Sequence, residues 1–213
     1  MFKNNKKMNI EVLINKYENG NIRTIEYKNN GKLHRENDMP AFIKYDIHGN
    51  VIHERYYNTD KLHRENNNPA IIVYVDNKIV NVEYYRENKL YRSDYKPVYI
   101  SYDTMGNTLY EYYLYKDNDT PTLIKYHING QKKEECFYKE NKIHRNFDLP
   151  AIINYDNYGN KIKEIYYKNG ETNRINENPI IIEYLNKGEY EIHTYKNGKT
   201  ETYNMHLLFT KPV

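Results

Sequence analysis

Histidines at one recurring position are the first side chains in this sequence that could do chemistry. His34, His63 and His144 each stand between a leucine or isoleucine and an arginine. Imidazole nitrogens bind metals, but a metal site needs converging ligands and neighbouring groups that orient them. No cysteine and no paired carboxylates recur with these histidines. We therefore expect no metal and no cofactor, and we interpret the histidines as structural groups stacked along the chain.

Arginines form a more regular column next to the histidines. A long cation stands five residues before each of six prolines, at Arg35, Arg64, Arg92, Lys116, Arg145 and Arg174. Each guanidinium could form a planar fork to carboxylates or loop carbonyls, or the column could bind an anionic polymer. A position that repeats this regularly usually serves the stacking of neighbouring repeats. We therefore favour a structural role for the column.

The sequence shows no motif for an enzyme. Cys136 lies in Glu-Glu-Cys-Phe-Tyr, where two carboxylates should raise its thiol pKa instead of activating it. No glycine-rich phosphate loop connects a strand to a helix. Aspartates and glutamates are plentiful, and we interpret them as scattered turn and surface residues. The chain is therefore expected to be non-enzymatic.

Tyrosine is the most unusual component of the composition, with 26 copies in 213 residues. Rows of tyrosine could stack on nucleic-acid bases, and arginines lie among them. The net charge is only +3, however, and acidic residues lie beside the cations. Nucleic acid is therefore not the expected partner, and the tyrosines are expected to build a core, since each brings a large apolar ring.

The spacing of prolines shows that the chain repeats one unit six times. The prolines are Pro40, Pro69, Pro97, Pro121, Pro150 and Pro179. Isoleucine stands three residues after each, at Ile43, Ile72, Ile100, Ile124, Ile153 and Ile182. Tyrosine stands five residues after each, at Tyr45, Tyr74, Tyr102, Tyr126, Tyr155 and Tyr184. A second segment ends in paired aromatics, which we align as Tyr56-Tyr57, Tyr84-Tyr85, Tyr112-Tyr113, Phe137-Tyr138 and Tyr166-Tyr167.

Each repeat is expected to be a β-hairpin with a possible third strand at Leu-His-Arg. The segment Pro-Ala-Ile-Ile-x-Tyr has strand composition and places positions one, three and five after the proline on one face. Because a single hairpin is marginally stable, the copies must stack. The predicted fold is all-β, with tandem hairpins in an elongated, twisted antiparallel meander or solenoid. Residues 1–21 form a cap and half-repeat, 22–188 the six repeats of about 28 residues, and 189–213 a half-repeat and cap.

Location is constrained by what the sequence lacks. No run of 18 apolar residues suggests a transmembrane segment, and the basic N-terminus has no long apolar run typical of a signal peptide. A single cysteine suits a reducing compartment. We expect an intracellular protein, and the sequence leaves its oligomeric state open.

The fourth repeat is about four residues shorter than the others and is the candidate for a specific site. It lacks the polar turn that the second repeat has at residues 58–61, and Lys116 replaces arginine there. A break in regular stacking can create a hinge or groove, with Tyr113, Tyr115 and Lys116 exposed. Alternatively, a tight turn at Asp117 and Asn118 absorbs the deletion.

The string KLHRENNNPAIIVY, preceded by Tyr56-Tyr57-Asn58, resembles MORN-like repeats of the Leu-His-Arg-Glu-Asp-Gly-Pro-Ala type. These repeats occur in giant DNA viruses and some bacteria and are similar to antitoxins of the YwqK family. The resemblance extends from about Ile22 to Tyr203 and implies a hairpin array used for interaction or scaffolding, in a virion or the host cytoplasm if viral. We expect a module that binds a protein. The alternatives are an antitoxin-like inhibitor of an enzyme and an adaptor for nucleic acid or a membrane surface.

Overall fold

The computed structural model describes residues 9–114, 120–173, 178–185, 189–196 and 199–206. The chain divides into two compact units, Met1–Leu114 and Tyr115–Val213, here called the N-terminal and C-terminal units. All regular secondary structure of the described residues is β-strand, which confirms the predicted all-β class. None of these residues forms a helix that could cross a membrane.

The N-terminal unit contains a meander of long strands and several two-residue strands. Its strands are β1 (Ile10–Lys16), β2 (Ile22–Asn29), β3 (Lys32–Leu33), β4 (Phe42–Tyr45), β5 (Val51–Arg55), β6 (Tyr57–Asn58), β7 (Lys61–Leu62), β8 (Ile71–Val75), β9 (Lys78–Glu83), β10 (Tyr85–Arg86), β11 (Lys89–Leu90), β12 (Tyr99–Tyr102) and β13 (Thr108–Tyr112). The main sheet has the order β1-β2-β4-β5-β8-β9-β12-β13, and its neighbours are antiparallel. Neighbouring repeats are thus joined by strand pairing, as predicted.

The C-terminal unit repeats this arrangement. Its strands are β14 (Leu123–Tyr126), β15 (Lys132–Cys136), β16 (Tyr138–Lys139), β17 (Lys142–Ile143), β18 (Ile152–Tyr155), β19 (Lys161–Ile165), β20 (Tyr167–Lys168), β21 (Glu171–Thr172), β22 (Ile181–Tyr184), β23 (Glu189–Lys196) and β24 (Lys199–His206). The main sheet has the order β14-β15-β18-β19-β22-β23-β24, again antiparallel.

A five-residue turn closes the main hairpin of several repeats. In the first repeat Asp46 accepts hydrogen bonds on Oδ1 from the backbone N–H groups of His48 and Asn50. Gly49 has a φ of 93°, a conformation that glycine adopts without steric cost. The same pattern recurs at Asp103 and Asp156. These carboxylates therefore explain why these three copies bend at Asp-x-x-Gly-Asn.

The predicted third strand is in fact a second, two-stranded hairpin. Residues 57–58 and 61–62 pair around Thr59 and Asp60, whose φ values of 52° and 65° are left-handed. Such a pair of left-handed residues is typical of type I′ hairpin turns. Asp60 then docks on the preceding repeat, where its N–H donates to the Leu33 carbonyl and its Oδ1 accepts from the Leu33 N–H at 2.7 Å. These small hairpins therefore connect successive repeats outside the main sheet.

Opposite residues of paired strands share a face, so the strand registers define rows that run across each sheet. The central row of the N-terminal unit contains Ile14, Ile25, Ile43, Glu54, Ile72, Val82, Ile100 and Glu111. The central row of the C-terminal unit contains Ile124, Glu135, Ile153, Glu164, Ile182 and Ile192. We call the face with this row the core face and the opposite one the distal face.

The core face has the residues that the proline spacing predicted. Ile72 and Ile153 are buried, and Ala70 and Ala151, which each follow a proline, are completely buried. In the N-terminal unit Ile72, Val82 and Ile100 pack with Tyr56 and Tyr84 in one cluster. Four isoleucines of the column are therefore buried (Ile72, Ile100, Ile124 and Ile153), whereas Ile43 and Ile182 are half-buried.

The registers correct our alignment of the short fourth repeat. Ile43 lies opposite Glu54, and Ile100 lies opposite Glu111, so these glutamates are equivalent. Tyr113 therefore takes the position of Tyr56, the first aromatic of its pair, and not that of the second. Sequence alignment missed this one-residue shift because adjacent tyrosines look identical in a list of letters, although they point to opposite faces of a strand.

Candidate protein-interaction surface

The arginine column packs within its own repeats. Four guanidiniums lie 3.6–3.8 Å from the centre of an aromatic ring: Arg35 over Tyr27, Arg64 over Tyr56, Arg92 over Tyr84 and Arg145 over Phe137. Each also donates from Nη1 to the carbonyl of the proline five residues later, at 3.0–3.3 Å. Cation–π stacking and a carbonyl bond use the planar face and the fork of arginine together. Arg174 and Lys116 lie outside the described residues.

One arginine also connects two repeats. Arg64 donates from Nε and Nη2 to the two carboxylate oxygens of Asp38, at 2.7 and 2.9 Å. Because Arg64 hydrogen-bonds to the charged form, it lowers the pKa of Asp38. This fork occupies the guanidinium edge that an external anion would need.

The tyrosine column binds glutamates of the preceding strand. The hydroxyls of Tyr74, Tyr155 and Tyr184 donate to Glu54, Glu135 and Glu164, at 2.8, 2.6 and 3.1 Å. The whole tyrosine column (Tyr45, Tyr74, Tyr102, Tyr126, Tyr155 and Tyr184) is half-buried.

Our prediction that the acidic residues lie in turns and on the surface is wrong for two of these hydrogen-bond acceptors. Glu135 and Glu164 are buried in the central row. A buried carboxylate needs hydrogen-bond donors, and Glu164 has Tyr166, Tyr184 and Lys161. The sequence signal was present, since each of these glutamates stands two residues before an inner aromatic residue (Phe137 or Tyr166), but the strand register is needed to recognise it.

The histidine column makes local hydrogen bonds. The Nε2 atoms of His34, His63 and His144 lie 2.7–2.8 Å from Glu36, Glu65 and Asn146. Within the described ranges, no group of three or more histidine, cysteine, aspartate or glutamate side chains is arranged to hold a metal. Cys136 is buried, and its desolvation, together with Glu134, raises its thiol pKa to about 12. The thiol therefore stays protonated and is a poor nucleophile at neutral pH.

The three residues predicted for the short-repeat site are only partly covered by the structure. Tyr115 and Lys116, like Asp117 and Asn118, lie outside the described residues. Tyr113 is half-buried, and its hydroxyl donates to Glu111 at 2.8 Å, so it is not the freely exposed group that we expected. The boundary between the two compact units falls directly after Leu114, within this short repeat. A hinge or groove there remains a prediction.

A cluster of cations lies on the distal face of the N-terminal unit. Lys44 and His53 are opposite each other on β4 and β5, and Arg55 is opposite Phe42 one step along the same strands. The Arg55 guanidinium lies 5.4 Å from the Phe42 ring centre, and its Nε is 3.3 Å from Nε2 of His53. Burial, with Arg55 and Lys44 nearby, lowers the pKa of His53 to about 4. We call Phe42, Lys44, His53 and Arg55 the cationic patch.

The cationic patch has no counter-ion among the described residues. No described carboxylate forms a salt bridge with Lys44 or Arg55. The nearest glutamates of the same row are engaged elsewhere, since Glu26 pairs with Lys28 and Glu83 accepts from Tyr85. All four patch side chains are half-buried, so they remain accessible from the distal side.

The distal face of the C-terminal unit is different. Lys125 pairs with Glu134 at 2.7 Å, and Lys163 pairs with Glu183. Asn154 also donates to Glu134. These residues occupy the row equivalent to Lys44 and His53, so here the cations of that row are neutralised within the sheet.

The sequence reasoning missed the cationic patch because it followed only one face of each strand. Residues two and four after Pro40 are Phe42 and Lys44, and alternation places both on the face opposite Ile43. That signal predicts the face. The pairing with His53 and Arg55 depends on the strand register.

Comparison with known proteins gives no further guide, since no family model and no curated protein matches this chain.

Proposed function

We propose that this chain is a non-enzymatic repeat module that binds an acidic segment of a partner protein on the distal face of its N-terminal unit. The observation that supports this most directly is the cationic patch, which has no counter-ion among the described residues while the equivalent row of the C-terminal unit contains ion pairs. His53, whose pKa is about 4, is neutral at pH 7, so the charges that repel each other are those of Lys44 and Arg55, and a bound carboxylate would relieve that repulsion.

The side chains of the patch suit an acidic peptide. Arg55 can donate two parallel hydrogen bonds to one carboxylate, and Lys44 adds a second point of charge. Phe42 offers an apolar ring beside them, and mixed aromatic and arginine surfaces are typical of binding hot spots. Further along the same face, the rings of Tyr99 and Tyr110 stack with their centres 5.5 Å apart, which extends the aromatic surface.

From the resemblance of its repeats, we also propose that the chain is a MORN-like repeat protein of the type found in large DNA viruses, acting as an intracellular scaffold or adaptor. The arginine column is an unattractive site for a polyanion, because its guanidiniums are stacked on rings and bonded to proline carbonyls. The cationic patch is therefore the better candidate for recognition.

The test is affinity capture from the native cell with the immobilised full chain, followed by quantitative mass spectrometry after nuclease treatment. We expect a protein with an acidic segment to be captured by the wild-type chain and lost with Lys44→Glu/Arg55→Glu. Capture should weaken with added salt, because part of the attraction is between exposed charges.

A matched control is Lys89→Glu/Lys139→Glu, which changes the net charge equally at two exposed positions outside the distal faces. It should leave capture unchanged. Equal loss with both variants, or protein capture that disappears on nuclease treatment, would contradict the proposal. If the captured protein is an enzyme that the chain inhibits, the module works as an inhibitor through the same surface.

A further inference from the structure

We propose that β1 is a self-association edge, through which two copies of this chain pair their β1 strands antiparallel about a two-fold axis. The proposal concerns an edge of the N-terminal unit and is independent of the acidic partner, because no residue of the cationic patch belongs to β1.

Alternate residues of β1 point their backbone groups away from the sheet. Tyr27 lies opposite Val12, and its N–H donates to Ala41 on the far side of β2. The Asn30 N–H, by contrast, donates to the Asn9 carbonyl. In an antiparallel ladder the bonded pairs alternate with non-bonded pairs, so the N–H and C=O groups of residues 10, 12 and 14 face outward. They form a ready template for another strand.

The same three residues present an apolar surface. Ile10, Val12 and Ile14 are 68%, 49% and 51% exposed, although Ile14 belongs to the central row of the core face. An edge with exposed aliphatic side chains, whose outward backbone groups have no partner among the described residues, is the kind of surface that pairs with a strand. Met39 and Tyr27 line an apolar depression beside Ile10, which adds further surface to cover.

A register centred on Val12 fits a second copy to this edge. If the two-fold axis passes through Val12, each Val12 lies opposite its own copy and each Ile10 lies opposite an Ile14. The core-face row then continues into the partner with aliphatic pairs only. On the other face Glu11 lies opposite Leu13, so no like charges oppose each other. Because a two-fold interface must be self-complementary, this symmetry of the sequence favours a copy over an unrelated strand.

The opposite terminal strand supports the assignment by contrast. The sequence of β24 is Lys-Thr-Glu-Thr-Tyr-Asn-Met-His, in which polar and charged residues predominate. Charged side chains on an edge discourage pairing with other chains. The sequence of β1 is Ile-Glu-Val-Leu-Ile-Asn-Lys, in which Glu11 and the terminal Lys16 are the charged residues and the outward-facing positions 10, 12 and 14 are all aliphatic.

The test is sedimentation of the purified full chain together with a charge exchange at residue 12. We expect the wild type to sediment as a dimer. Val12→Lys and Val12→Glu should each be monomeric, since identical charges would face each other across the axis. An equimolar mixture of the two variants should recover the dimer, because lysine then faces glutamate.

The control is the same exchange at Tyr203 of β24, a residue with similar exposure, which should leave the dimer intact. Circular dichroism should show that all variants keep the wild-type strand signal. A wild-type chain that stays monomeric up to its solubility limit overturns the proposal. Dimeric single variants, or a mixture that stays monomeric, overturn the register centred on Val12.

Discussion

The same position of the central row holds a valine in the N-terminal unit and a glutamate in the C-terminal unit. Val82 lies between Ile72 and Ile100, and Glu164 lies between Ile153 and Ile182. Val82 and Glu164 are equally well buried, at 5% and 6% exposure. The comparison shows that strand pairing determines where the side chain lies in the row. The hydrogen-bond donors around it determine whether a buried carboxylate is tolerated there.

Those donors are tyrosine hydroxyls and a lysine. Oε2 of Glu164 accepts from Tyr166 and Tyr184, each at 3.1 Å, and Oε1 accepts from Lys161 at 2.9 Å. The tyrosines equivalent to these around Val82 are Tyr84 and Tyr102, which pack in or against the apolar cluster. A tyrosine can serve both environments because its ring is apolar and its hydroxyl is polar.

Truncating the isoleucine column should have the largest effect and should affect both units alike. Ile72→Ala and Ile153→Ala each remove a buried side chain from the central row, so each should lower the free energy of unfolding by about 2–5 kcal/mol. Urea unfolding followed by circular dichroism measures the change. Ile79→Ala is the control, because Ile79 is 42% exposed, and it should change stability by about 0.5 kcal/mol or less. Two unchanged transitions would show that the register is wrong.

Replacing Glu164 with valine tests whether the C-terminal unit tolerates an apolar side chain at this position, as the N-terminal unit does with Val82. Glu164→Val should cost about 1–3 kcal/mol of unfolding free energy, since the Tyr166 and Tyr184 hydroxyls lose their acceptor. Adding Tyr184→Phe should recover part of the loss, and a double-mutant cycle measures that coupling. If Glu164→Val is as stable as the wild type or more so, burying the carboxylate of Glu164 lowers the free energy of unfolding, and the N-terminal unit escapes this loss because it has Val82 there.

The smallest expected effect is a dependence of folding stability on pH that comes from His53, on the distal face of the N-terminal unit. The pKa of His53 is lowered to about 4 in the folded chain, so folding disfavours its protonation. Stability should be unaffected by His53 above pH 6.5 and should fall as the pH drops from there towards 4. Because the ring is half-exposed, solvent screening limits the loss to about 1 kcal/mol. His53→Gln should flatten this part of a stability-against-pH curve, and a slope identical to the wild type would contradict the assignment.

Much of the fold could be predicted from the sequence because its signals are local. The Asp-x-x-Gly-Asn turns are built from hydrogen bonds within five residues, as at Asp46 and Asn50. Alternation then places the residues one, three and five after a proline on one face. The small hairpin was predicted only as a single strand, because residues such as Thr59 and Asp60 give little sign of left-handed geometry.

The sites were less predictable because they depend on residues of different repeats. Arg64 meets Asp38 from 26 positions earlier, and Tyr74 meets Glu54 from 20 positions earlier. A one-residue change of register moves a side chain to the other face, as the short repeat shows for Tyr113. A sequence without fixed registers therefore cannot say which charges meet.

By itself, the sequence determined the repeat length, the all-β class, the positions of the Asp-x-x-Gly-Asn turns and the face to which the isoleucine and tyrosine columns point. These follow from turn chemistry and from the two-residue period of a strand. Only the tertiary structure decided which carboxylates are buried, which cations have no counter-ion among the described residues and which strand edge is exposed. Those properties belong to pairs of residues about one repeat apart, and the free energy of a pair depends on the distance and burial that the fold imposes.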